Sequence, residues 1–247
     1  MTNHEQTMMR ELQTWQRKMM RKPGILNRLS KRAQDKINNI IPEKVHNAIT
    51  VAIKQMVRGV LFGSRLTTRE KAIEIKLETT DAIVEEIIKK YRTTATVEGA
   101  LTGAGGFWLG LADFPLLMAI KIKMLFEIAA TYGFAIDDYK ERIYILHIFQ
   151  LAFSSAQHRR KVFMEMKNWN EQSKSLPDDI NQFDWRPFQQ EYRDYIDLAK
   201  LAQLIPIIGA PVGAVVNYQL IRKLGFTAKM AYHMRLVQAN QPGYTIL

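Results

Sequence analysis

The stretch GALTGAGGFWLGLADFPLLMA, residues 99–119, sets glycines, an acid and a proline inside an otherwise apolar run. Few structures accept such a segment: a phosphate-cradling loop, a membrane span, or helices packed so closely that only glycine fits between them. The phosphate loop fails on its own pattern. A Walker loop needs Lys and Ser or Thr directly after its last glycine, and here Phe107 and Trp108 follow. The dinucleotide pattern started at Gly103 and Gly105 wants a third glycine at 108 and meets Trp108, with no strand-like run ahead of it.

Spanning remains an alternative. Between Gly99 and Ile120 only Asp113 is charged, and between Leu201 and Ile221 nothing is. However, an Asp near the centre of a spanning helix costs about 2.5–3.5 kcal/mol, and the second run carries Gln203, Pro206, Pro211, Asn217 and Gln219. Close packing fits better. Gly99, Gly103, Gly106 and Gly110 are spaced 4, 3 and 4 apart, which places them on one helical face. Each costs about 1 kcal/mol of helix stability relative to Ala, so tight burial is the expected compensation. Asp113 then reads as the N-cap of a following helix with Pro115 in its first turn.

The rest of the chain has helical periodicity. Met8, Leu12, Trp15 and Met19 recur on one face of a helix over about 5–21, which Pro23 and Gly24 end. Helices are expected from about 42, over 69–92, over 114–132 with Gly133 at the position after the cap, and as one long run from Asp137 or Asp138 to about 169. A polar linker, SKSLPDDINQFDWRP, precedes helices over about 188–204, 211–223 and 227–238. No alternating β-branched runs with hairpin turns occur. The expected class is all-α, a single helical domain with Gly/Pro-marked apolar hairpins at its centre (42–240), preceded by a basic amphipathic arm (1–41).

That arm holds much of the net charge of +11: nine basic residues between Arg10 and Lys36 are opposed only by Glu11 and Asp35. A basic segment attracts nucleic acid, an anionic membrane or an acidic partner. Nucleic acid is not expected, because no recognition module is present and only Trp15 offers stacking in the densest basic stretch. A Trp–Met face beside a cationic face suits a membrane interface, with Arg10, Trp15, Arg17, Lys18, Arg21 and Lys22 as the contact residues. The same periodicity equally describes a helix docked on the protein's own core. The N-terminus lacks the apolar core and cleavage site of a secretory signal, so the expected compartment is the cytoplasm. The absence of cysteine excludes disulfides and thiolate metal sites.

EGALTGAGGFWLGLADFPLLMAIKIKMLFEIAATYGF resembles the signature of the EcsC family, a bacterial family of uncharacterised function. A glycine-rich segment runs into a junction of Gly110, Leu111, Asp113 and Pro115, then an apolar helix closes on Tyr132 and Gly133. A second block, LIPIIGAPVGAVVNYQLIRKLGFTAKMAYHMR, is similar to the family's C-terminal signature through Pro206, Gly209, Gly213 and Asn217, and the acids Asp137, Asp138 and Glu141 fit the usual pattern. The likeness runs over about 70–238, and the basic arm is the part least expected to be shared. The family takes its name from the third product of an operon whose other products look like the ATPase and membrane subunits of an ABC transporter. That transporter is linked to protein secretion and intramembrane proteolysis. The resemblance supplies no catalytic residues and implies no cofactor.

A direct search for chemistry is equally spare. His4, His46, His147, His158 and His233 have no metal-ligand spacing. His147 reads as a core or boundary residue, the Ser154–Ser155–His158 proximity as incidental, and no nucleophile elbow occurs. Asp113 and Glu98 flank the glycine face and are the acids on which a hydrolase-like enzyme would have to be built. The favoured reading is a non-enzymatic accessory protein on the inner face of the cell membrane, acting with an ABC transporter. The alternatives are that enzyme and an integral protein spanning through 99–120 and 201–221.

Overall fold

The computed structural model describes residues 2–21, 43–62, 76–104, 114–154, 158–182 and 210–239. Among them the regular structure is helical: α1 (Asn3–Met20), α2 (Glu43–Phe62), α3 (Leu77–Ala104), α4 (Phe114–Thr131), α5 (Tyr139–Phe153), α6 (Arg159–Lys167), α7 (Trp169–Ser175), a 3-10 turn (Ile180–Gln182) and α8 (Ala210–Ala239). The all-α class holds.

Helix α8 is the axis of the molecule. It runs antiparallel to α3, as the pairs Asp81–His233, Glu85–Lys229 and Arg92–Tyr218 show, and it also packs on α1, α4, α5 and α6. The helix was expected to break between 223 and 227, but it continues. Leu224 and Ala228 are both fully buried. Between them, a Cβ on Gly225 would lie 2.6 Å from Cγ1 of Ile88. At Gly225 the Ile88 side chain of α3 occupies the space a Cβ would need, and packing against it offsets glycine's cost in a helix interior.

The opening glycine segment is only partly described. Gly99 and Gly103 fall in the last turns of α3, which extends beyond the expected end at 92, and Gly213 lies in the first turn of α8. Gly106, Gly110, Leu111, Asp113, Pro206 and Gly209 lie outside the described residues, as do the expected helix over 188–204 and the start proposed near 69. Pro115 is the second residue of α4, where its missing N–H costs nothing.

The far end of α4 closes as the sequence predicts. Gly133 has φ 81°. Its N–H bonds to the carbonyl of Ala130 at 3.0 Å and that of Phe134 to Ala129 at 3.1 Å, the paired pattern of a Schellman cap. Asp138 caps α5, its side chain accepting from the Lys140 N–H at 2.9 Å. The long helix expected from there to 169 is broken. Ser154, at ψ 147°, ends α5, and its hydroxyl donates back to the Gln150 carbonyl at 2.6 Å. Two shorter helices, α6 and α7, follow.

Helix α1, the described part of the N-terminal arm, packs on the core. Met8, Leu12, Trp15 and Met19 are all buried in the same cluster as Val84, Phe149 and Leu224. Trp15 meets Phe163 of α6 edge-on at 5.5 Å. Burying each of these side chains stabilises the fold by roughly 1.5–3 kcal/mol. Thr2 and Glu5 fix where the helix starts through a reciprocal capping box.

Candidate functional site

Docking one face of α1 on the core turns its other face outward. Arg10, Arg17, Lys18 and Arg21 are exposed, whereas Trp15 is 4% exposed. Trp15 therefore belongs to the core, the reading in which α1 docks on the protein's own interior. Lys22 lies outside the described residues. No described helix is long and apolar enough to cross a membrane.

Beneath α1 lies a polar cluster that no sequence motif announced. Asp81 of α3 is 3% exposed, at the position where the stripe Leu77, Val84, Ile88, Tyr91 calls for an apolar residue. Donors from three other segments converge on it. Oδ1 accepts from the Tyr132 hydroxyl at 2.7 Å and from His233 Nε2 of α8 at 2.7 Å. Oδ2 meets His4 Nε2 of α1 at 2.9 Å and lies 3.9 Å from Lys229 Nζ, which also pairs with Glu85 at 2.9 Å. Burial by itself would raise the Asp81 carboxyl. The hydrogen bond and charge of His233, then Lys229 and Tyr132, outweigh it and hold the group below its ordinary value. With Nε2 turned to the carboxylate, the buried Nδ1 of His233 has no hydrogen-bond partner among the described residues.

A second buried acid sits beside this cluster. Glu141 of α5, 5% exposed, accepts from the Tyr232 hydroxyl at 2.8 Å and pairs with the Arg235 guanidinium. Arg235 lies between the Phe134 and Tyr144 rings, 4.1 and 4.6 Å from their centroids. Burial pushes the Glu141 carboxyl above its usual range against the opposing pull of Arg235. Tyr132 stacks on Tyr232 at 5.7 Å and so joins the two clusters.

Asn217, matched by sequence to the family's second signature, has a definite task. Its Oδ1 accepts from Lys121 Nζ at 3.3 Å; Lys121 is fully buried and also donates to the Leu117 carbonyl at 3.2 Å. A buried ammonium without such acceptors would be costly. His147 is a boundary residue partnered by Gln150 at 3.1 Å. Glu98 lies on α3, and Asp113 lies outside the described residues.

These clusters tie helices together. Asp81 joins α1, α3 and α8 to the residue that follows α4; Glu141 joins α5 to α8. Asp81, His233 and Tyr132 are each at most 3% exposed, and their polar groups are turned on one another. Among the described residues no group of three or more His, Asp or Glu side chains could hold a metal ion.

Comparison with known proteins matches residues 6–237 to the EcsC protein family. The match takes in α1, against the expectation that the basic arm stands outside the shared region. Protein EcsC of Bacillus subtilis (strain 168) is 43% identical over 234 residues, covering 94% of this chain and 96% of that protein. The uncharacterized protein YdbA of the same organism is 27% identical over 255 residues, covering 95% and 92%. No solved structure matches the chain.

Proposed function

The chain belongs to the EcsC protein family, and from that premise we propose that it is a non-enzymatic accessory protein working on the inner, anionic face of the cell membrane beside an ABC transporter. The observation that carries this reading is the division of α1: Met8, Leu12, Trp15 and Met19 are buried, while Arg10, Arg17, Lys18 and Arg21 face solvent. A rigidly docked helix with a cationic outer face holds an anionic surface by charge alone. Each Lys or Arg near such a surface contributes about 1 kcal/mol. The association is then reversible and sensitive to salt. The ABC transporter partnership, with its ATPase and membrane subunits, rests on the family resemblance.

The test is co-sedimentation of the full chain with phosphatidylglycerol or phosphatidylcholine vesicles at low and high salt. The expected result is binding to the anionic vesicles only, lost at high salt and weakened by the double variant Arg17→Glu/Arg21→Glu. Binding to neither vesicle type, or equal binding to both, would overturn the membrane reading. Failure to co-purify with transporter subunits would remove the partner while leaving the membrane surface.

A further inference from the structure

An open cleft of about 640 Å³ lies between α1, α5, α6 and α8. Its floor is apolar, built from Trp15, Leu151 and Phe226, and Phe226 is 43% exposed in spite of its size. Its rim is cationic. Arg10 and Lys18 of α1 and Arg159 of α6 stand around it, and Glu11 is the single acid in its lining. None of those three cations pairs with an acid among the described residues.

Arg159 is the most telling of them. Burial lowers its pKa, and no carboxylate counters the effect. Its Nη2 donates to the Arg21 carbonyl at 3.3 Å, while its Nε is buried without a hydrogen-bond partner. A half-buried guanidinium with an unfilled donor, beside an exposed aromatic ring, leaves both parts of an amphiphile unmatched. The volume lies in the range of small-molecule sites.

We infer that this cleft is a binding site for an anionic amphiphile, a single acidic head group, phosphate or carboxylate, carrying an apolar chain. The head meets Arg10, Lys18 and Arg159, and the chain lies along Trp15, Leu151 and Phe226. This goes beyond attraction to a charged surface, because it requires one molecule in one cleft. A lipid drawn from a bilayer and a free single-chain phosphate share the chemistry.

The experiment is calorimetric titration of the full chain with dodecyl phosphate below its micelle concentration, with inorganic phosphate and dodecyltrimethylammonium as comparisons. Saturable one-to-one binding of dodecyl phosphate is expected, with both comparison compounds weaker by about tenfold or more. Phe226→Glu and Lys18→Glu, both at exposed positions, are each expected to weaken it by about tenfold or more. Arg17→Glu, at a position outside the cleft lining, leaves it unchanged, so the site can stand or fall apart from the vesicle result. Inorganic phosphate binding as tightly as dodecyl phosphate, or both cleft variants binding like the wild type, would overturn the site. Mass spectrometry of protein separated from phosphatidylglycerol vesicles distinguishes the sources. Lipid retained by the wild type and missing from Phe226→Glu identifies a bilayer lipid, and dodecyl phosphate binding without lipid retention identifies a free amphiphile. The absence of both overturns the proposal.

Discussion

Asp81 and Glu141 are buried to nearly the same depth, 3% and 5% exposed, against the same helix α8, and they respond in opposite directions. Asp81 is surrounded by Tyr132, His4 and, from α8, His233 and Lys229, and its carboxyl is held down. Glu141 has Arg235 and the Tyr232 hydroxyl, and burial pushes it up. Burial raises both carboxyls; at Asp81 the hydrogen bonds and charges of its partners outweigh it, and at Glu141 the pull of Arg235 and Tyr232 does not.

Removing a sole strong partner should do the greatest damage. Arg235→Leu leaves Glu141 buried without its counter-charge and should cost about 3–5 kcal/mol in urea unfolding. A loss below about 1 kcal/mol would show that Glu141 is neutral in the fold. Asp81→Asn removes the charge but keeps an acceptor, and should cost about 2 kcal/mol.

The comparison also has a sign in pH. Asp81 has a lowered folded pKa. Its stabilisation is complete above the unfolded value of about 3.9 and is lost as pH falls below that. Melting temperatures between pH 3 and 6 should therefore drop on the acid side in the wild type and drop less in Asp81→Asn. Glu141 has a raised folded pKa, so its share of stability declines as pH rises past about 4.3. Glu141→Gln should remove that decline. Matching profiles for the two variants would erase the distinction between the sites. The smallest effect belongs to His4, whose side chain is 29% exposed. His4→Ala should cost about 0.5–1 kcal/mol and loosen the start of α1, read as faster amide exchange there.

What the sequence made legible was local. The Met8–Leu12–Trp15–Met19 stripe, the Gly133 cap, the Asp138 cap and the place of Pro115 all depend on neighbours within a few residues. Asp81 was not legible, because its partners lie 77, 51 and 152 residues away at His4, Tyr132 and His233. The one available signal was an acid standing in the apolar stripe of α3. Gly225 was missed for a similar reason: in sequence it reads as a break, and only Ile88 explains why the helix continues through it. The periodicity of α1 described a membrane face and a core face equally well, and the choice between them depends on Phe163, far along the chain.

The central claim is that α1 stays docked while its basic face meets an anionic surface. The most direct measurement is fluorescence quenching of Trp15 by brominated phosphatidylglycerol vesicles, in a chain carrying Trp108→Phe, Trp169→Phe and Trp185→Phe. Vesicle binding with Trp15 emission left unquenched is the predicted result. Strong quenching would mean that α1 leaves the core and inserts its apolar face into the bilayer, contradicting the account.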